Sequence, residues 1–305
     1  MPDNPQTVRA PIVLCHGIAP FDVFFRGFRR SIGHFLNAEQ NRWFDEHIGE
    51  RGDYFRNIRG ALQAQGFLAY ETAVSFAAGV GTRAADLQKE VTRILNGGGH
   101  ERVNIIAHSM GGLDARHMIV KLGMAERVAS LVTIGTPHLG TSFADWGLQD
   151  LKGPDGLVDL LKFVGIDFTG FRDLTTASCQ EFGRSAEAGE AENAVLYIVY
   201  AGCQKIVERV FAPLQPSWRI IAAREGENDG LVPVMSQRWK PELKGKGKAK
   251  RVEQRDLPVP ADHLNEVGWW HPWVDPAQTR SAYEAALQEA YVNIAKDLQA
   301  RGLYR

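Results

Sequence analysis

Ser109 stands in "NIIAHSMGG", residues 104–112, between an apolar, β-branched run and two glycines. A hydroxyl at such a place can act as a nucleophile. A strand that turns sharply into a helix lifts the intervening side chain into a cleft. The turn tolerates only small neighbours, here Ala107, Gly111 and Gly112. It also aims the first N–H groups of the helix at whatever the hydroxyl attacks. The pattern is small-x-Ser-x-Gly, a nucleophile elbow with alanine in its first place rather than glycine. A serine that merely caps a helix is the structural alternative.

A serine hydroxyl needs a base to take its proton. Downstream, "GENDGLVPV" holds Asp229 in an Asn-Asp-Gly loop after the run "WRIIAA" (residues 218–223), which reads as a strand. An aspartate at a strand end can receive a histidine N–H, although a plain turn residue has the same sequence. "ADHLNEVGWW" then places His263 in a loop ahead of the last helix, where it is either that histidine or a packed or solvated one. Each assignment gains from the others, because serine, acid and histidine follow in one recognised chain order. His108 and Asp114 lie too near Ser109 in sequence to face it across a cleft, and Asp262 diverges from its neighbour His263. His138 in "GTPHLG" reads as support for the cleft wall. Two donors must meet a developing oxyanion. The N–H of Met110 is one. The N–H of Ile18 in "LCHGI" is the other, with Gly17 permitting the turn and His16 buttressing it.

Positioning these groups takes strands that end together. Short apolar runs recur at residues 11–15, 67–74, 102–108, 128–134, 194–200 and 218–223, and segments of helical period separate several of them. In "TRAADLQKEVTRIL", Leu87, Val91 and Ile94 share a face; another helix follows Ser109. In the last segment, Tyr283, Leu287, Tyr291 and Ile294 form one stripe. Buried strands alternating with helices predict an α/β fold, a mostly parallel sheet with helices on both faces. Its chemistry gathers at the carboxyl ends of the strands. Two regions interrupt the alternation, an aromatic-rich insertion at residues 20–57 and a strand-free stretch at residues 140–192. Without a repeat or linker, residues 1–305 read as a single domain carrying both insertions.

Bulk composition excludes several classes. The chain has 305 residues, 44% hydrophobic and 23% charged, with a net charge of −1. No global field calls for nucleic acid. The basic stretch at residues 244–251, "KGKGKAKR", has no interleaved aromatics and reads as a solvated loop. No run approaches the ~18 apolar residues of a membrane span. No signal peptide is visible, so the chain reads as cytoplasmic, or as secreted with its leader removed. Three cysteines suit neither a disulfide framework nor a zinc site. Cys15 reads as a small buried hydrophobe; Cys179 and Cys203 can pair only if their Cα atoms come within about 7 Å. No glycine-rich phosphate loop is present, so no nucleotide or redox cofactor is expected.

The segments "PIVLCHGI", "VNIIAHSMGG", "TIGTPHLGTS", "NDGLVPV" and "DHLNEVG" together resemble the bacterial true lipases, the triacylglycerol lipases of the α/β-hydrolase superfamily, from Pro11 to about Trp270. The resemblance implies an α/β-hydrolase fold and cleavage of acylglycerol esters. It also implies Ser109 as nucleophile, Asp229 as acid, His263 as base, Ile18 and Met110 as oxyanion donors, and a helical lid at "PDGLVDLLKFVGI", residues 154–166. Such a lid implies work at a lipid–water interface. The structural calcium of many relatives is not expected, because Asn265, Gln215 and Trp269 stand where ligands would be and calcium prefers carboxylates. The reading is a serine carboxylester hydrolase, most like a lipase. A short-chain carboxylesterase or polyester hydrolase would use the same triad. An inactive binding protein on a hydrolase scaffold is the alternative of another class. Acyl-chain preference and oligomeric state are not legible.

Overall fold

The structure, a computed structural model, describes residues 10–17, 54–75, 78–150, 168–271 and 279–304. Ile18, most of the aromatic-rich insertion and the expected lid helix at residues 154–166 lie outside the described residues.

Six parallel strands form the central sheet in the order β2-β1-β3-β4-β5-β8. They are β1 (Ile12–Cys15), β2 (Ala69–Glu71), β3 (Val103–His108), β4 (Val128–Ile134), β5 (Leu196–Ala201) and β8 (Glu253–Asp256). The helices are α1 (Ile58–Ala64), α2 (Val80–Gly98), α3 (Met110–Lys121), α4 (Ser142–Asp150), α5 (Phe168–Arg172), α6 (Thr176–Glu192), α7 (Gln215–Arg224), α8 (Val234–Arg238) and α9 (Arg280–Ala300).

Side chains on a strand alternate between faces, and two cores follow from that. Ile12, Leu14, Ile106 and Val132 pack on one face with Ile58 and Leu62 of α1 and with Leu287, Tyr291 and Ile294 of α9. Val13, Cys15, Ile105 and Leu131 pack on the other with Leu87, Val91 and Ile94 of α2 and with Met118 and Ile119 of α3. Strands buried on both faces read as continuous apolar runs, which is why β1, β3, β4 and β5 are visible in the sequence. The expected α/β-hydrolase fold is the observed one.

Two readings need correction, and the open pairing of Cys179 with Cys203 is answered. Residues 218–223 belong to helix α7, not to a strand. Pro216 occupies its first turn, where the missing N–H costs nothing, and only one face of the segment, through Ser217 and Ile221, is buried. The last sheet strand is instead β8, whose residues Glu-Gln-Arg-Asp have no apolar signal. It is an edge strand, and its half-buried Glu253 and Arg255 meet Arg301 and Asp297 of the C-terminal segment. The basic stretch is a hairpin, β6 (Glu242–Lys244) against β7 (Ala249–Arg251), rather than a loop. Its Lys250 folds inward over the ring of Tyr197 and donates to Asn193. Cys179 and Cys203 do not pair; both are free, and the Cys179 thiol donates to the carbonyls of Pro137 and Asp173.

Candidate active site

β3 ends at His108 and α3 begins at Met110, so the whole reversal falls on Ser109. Its backbone sits at φ 56° and ψ −134°, a conformation that non-glycine residues rarely adopt. The surroundings hold it there. Ser109 N–H donates to the carbonyl of Ile134 at 2.9 Å, and Thr136 Oγ1 donates to the Ser109 carbonyl at 2.8 Å. The close approach explains the glycines. A Cβ on Gly111 would lie 2.7 Å from the carbonyl oxygens of both Cys15 and His16, and one on Gly112 would collide with Thr136. Met110 opens α3, so its N–H is among the first-turn donors that lack an intrahelical acceptor.

Three loops converge on the serine. His263 Nε2 lies 2.8 Å from Ser109 Oγ, and His263 Nδ1 lies 2.8 Å from Asp229 Oδ2. All three side chains are buried. Asp229 is fixed by more than the histidine. Its Oδ1 accepts from the N–H groups of Leu231 and Val232 at 2.8 and 2.7 Å, and its Oδ2 accepts from Gln237 Nε2 at 3.0 Å. With Nδ1–H given to Asp229, His263 Nε2 is left to accept the serine proton. The loop backbones are joined as well, His263 N–H donating to the Asp229 carbonyl at 2.8 Å. The sequence-predicted serine, acid and histidine therefore come together, although Asp229 follows helix α7 and not a strand.

A second layer went unread in the sequence. The His108 ring packs against that of His263, tilted by 43° with centroids 4.5 Å apart. Its Nε2 lies 2.9 Å from Glu266 Oε2 and its Nδ1 2.7 Å from the hydroxyl of Tyr54. Glu266 Oε2 is in turn 3.6 Å from His263 Nδ1. Burial, with His263 beside it, pushes the His108 imidazole well below its ordinary range. Burial and the neighbouring Asp229 and Asp262 hold the Glu266 carboxyl well above its own. Both shifts favour the uncharged forms. Gly135 and Gly202 leave room for this carboxyl, since a Cβ on either would collide with it. The only sequence signal was the pair of glycines at two strand ends.

The remaining candidates have other work. His138 is buried, bonded to Thr133 Oγ1 at 2.8 Å and stacked on Trp239. Asp262 faces away from Ser109 and pairs with His271 Nε2 at 2.7 Å. The three positions compared with a lipase-type calcium site each give an N–H to a neighbouring carbonyl. Asn265 Nδ2 donates to the Trp269 carbonyl, Gln215 Nε2 to the Val210 carbonyl and Trp269 Nε1 to the Tyr54 carbonyl. Asp262, the carboxylate beside them, already accepts from His271 and from the N–H groups of Phe211, Leu264 and Asn265. Among the described residues His108, His263 and Glu266 offer ligand atoms within 4.8 Å of one another; the contacts above hold both imidazoles and Glu266 Oε2, while Glu266 Oε1 has no hydrogen-bond partner.

A family model described as alpha/beta hydrolase fold matches residues 10–175, more than half of the chain. The chain belongs to the alpha/beta hydrolase family. This alpha/beta hydrolase is 28% identical over 331 residues to triacylglycerol lipase 2 of Saccharomyces cerevisiae, covering 99% of this chain and 95% of that one. It is 33% identical over 203 residues to a triacylglycerol lipase of Pseudarthrobacter phenanthrenivorans, covering 60% of this chain and 56% of that one. The crystal structure of Staphylococcus hyicus lipase superposes with a TM-score of 0.59 at 19% identity and covers 97% of each chain, a likeness of fold.

Proposed function

We propose that this alpha/beta hydrolase is a serine carboxylester hydrolase of the triacylglycerol lipase type, with Ser109 as nucleophile. The single observation that carries the reading is the unbroken hydrogen-bond chain from Ser109 Oγ through His263 to Asp229, at 2.8 and 2.8 Å. In it, Ser109 Oγ attacks the ester carbonyl carbon while His263 Nε2 takes its proton. Asp229 holds the imidazole in the right tautomer and stabilises the imidazolium. The oxyanion is received by the N–H groups of Met110 and Ile18. His263 then returns the proton to the leaving alkoxide, and the C–O bond to the alcohol breaks. Water, deprotonated by the same histidine, attacks the acyl-enzyme and releases the acid and Ser109. No step needs a metal or a redox group.

The names of the relatives support acylglycerols as the substrate class, presented at a lipid–water interface. Among the described residues no helix is long and apolar enough to cross a membrane. The test is a panel of p-nitrophenyl esters and emulsified triacylglycerol. The proposal expects turnover that a serine-directed phosphonate abolishes by labelling Ser109. A protein that neither hydrolyses any ester nor takes the label is the binding protein named above. Turnover confined to short acyl chains makes it a carboxylesterase.

A further inference from the structure

β5 and β8 are parallel neighbours that end side by side at Ala201 and Asp256, where the Leu257 N–H donates to the Ala201 carbonyl at 2.9 Å. The carboxyl ends of parallel strands are where open α/β sheets receive ligands. Beyond these two ends the chain continues as residues 202–209 and 257–260, and α8 adds Val234 and Arg238. A cavity of about 440 Å³ lies between these segments, within the range of small-molecule sites. It borders the loop of the catalytic acid through Glu227. Among the described residues its lining includes neither Ser109 nor His263.

Part of the wall is apolar. Leu257 and Val259 alternate there with Pro258 and Pro260, which have no N–H to give. Ile206 adds a large side chain that is 43% exposed. An aliphatic chain laid on this wall would take that surface out of water.

One buried donor is left over. Gln204 lines the cavity and is only 2% exposed. Its Oε1 accepts from the Ile206 N–H at 3.2 Å, which fixes the orientation of the amide. Among the described residues its Nε2 has no hydrogen-bond partner. A buried donor left unpaired is costly, and a ligand oxygen would recover that cost.

The charges around it have a sign. Lys205, Arg209 and Arg238 line the cavity with two carboxylates, Glu227 and Asp256. Each carboxylate is held by one of the cations, Glu227 by Lys205 at 2.8 Å and Asp256 by Arg238 at 2.7 Å. Burial pushes the Cys203 thiol up to about 11, so it brings no negative charge at neutral pH. The lining therefore has one more cation than it has anions, which complements a monoanion.

We propose that this cavity is a second binding site, for a monocarboxylate with an aliphatic chain, in which Gln204 Nε2 donates to the carboxylate and Ile206, Leu257 and Val259 cover the chain. The acid released by the hydrolysis proposed above has this chemistry, and in that respect the inference rests on that reading.

The test uses octanoate as the probe. Ser109 is first blocked with an alkyl phosphonate, which fills the acyl cleft. Binding is then read by calorimetry and by the rise in melting temperature that a ligand of the native state produces. Blocked wild type should bind one equivalent saturably. Acetate lacks the chain and octanol lacks the charge, and each should bind at least about 10-fold more weakly. Gln204→Glu keeps an oxygen to accept from Ile206 and replaces the donor with a second oxygen. It should lower octanoate affinity about 10-fold or more, the loss expected when a hydrogen bond to a charged group is removed. Ile206→Glu sets a negative charge on the apolar wall from an exposed position, should weaken octanoate as much, and decides the matter if Gln204→Glu does not fold. Without octanoate, both variants should turn over a short soluble ester within about twofold of wild type.

The absence of saturable octanoate binding to blocked wild type overturns the inference. So does binding that the folded variants leave within about threefold of wild type, and so does acetate or octanol binding as tightly as octanoate. Wild-type protein that takes no phosphonate and shows no Ser109-dependent turnover would defeat the hydrolase reading instead, and the same variants then decide the site on unblocked protein.

Discussion

Glu266 Oε2 lies 2.9 Å from His108 Nε2 inside the protein, where burial favours the neutral form of both side chains. The carboxyl is raised because the folded protein favours its protonated form. In the unfolded chain it ionises near 4.5. Below that value both states hold the proton and the group costs nothing. As pH rises above it, the unfolded state alone gains by ionising, so stability is lost up to the raised folded value. Glu266→Gln keeps the shape and cannot ionise. Melting temperature measured across pH should therefore fall less steeply for Glu266→Gln than for wild type as pH rises above the ordinary glutamate range. Parallel curves would show that this carboxyl is charged in the fold.

Asp262 and His271 pair at 2.7 Å at the foot of the catalytic-histidine loop. Chelator should leave melting temperature and ester turnover unchanged. Removing the imidazole should not be so mild, because Asp262 is fully buried and would lose its side-chain hydrogen-bond partner. His271→Ala should cost about 3 kcal/mol, read from denaturant unfolding. A large chelator effect reversed by calcium would contradict this account of the loop.

Gly111 faces two backbone oxygens with no flexible side chain to yield, at 2.7 Å from the position of a Cβ. Gly111→Ala should cost about 1–3 kcal/mol through overpacking and should displace Ser109 from His263. Unfolding and turnover measured together should both suffer. Full activity in Gly111→Ala would mean that the elbow is looser than the contacts require.

Asp229→Asn keeps the bonds from Leu231 and Val232 to Oδ1 but presents the wrong charge to His263. Turnover should fall at least about 100-fold, since a misassigned tautomer disables the base. Circular dichroism should stay unchanged. Wild-type turnover in this variant would remove Asp229 from the triad.

Much of this was legible because the physics is local. Ile105 and Ile106 before Ser109, and the glycines after it, state the strand, the turn and the helix within nine residues. β4 is seven consecutive buried residues and has no competing period. Where tertiary context decides, the sequence is silent. Ile220 and Ile221 look like a strand, yet only Ile221 is buried, on one side of a helix. β8 is made of charged residues that an edge position tolerates. His108 and Glu266 are 158 positions apart, and nothing in either local sequence announces their contact. Glu266 looks like any surface glutamate until the sheet brings Gly135 and Gly202 beside it.

The most direct measurement is the single-turnover and steady-state hydrolysis of a short p-nitrophenyl ester by wild type and Ser109→Ala, with folding checked by melting temperature. The account predicts a burst of p-nitrophenol from the wild type as the acyl-enzyme forms. Ser109→Ala should show no burst and a turnover at least about 1,000-fold lower, with an unchanged melt. Near-normal turnover by folded Ser109→Ala would contradict it.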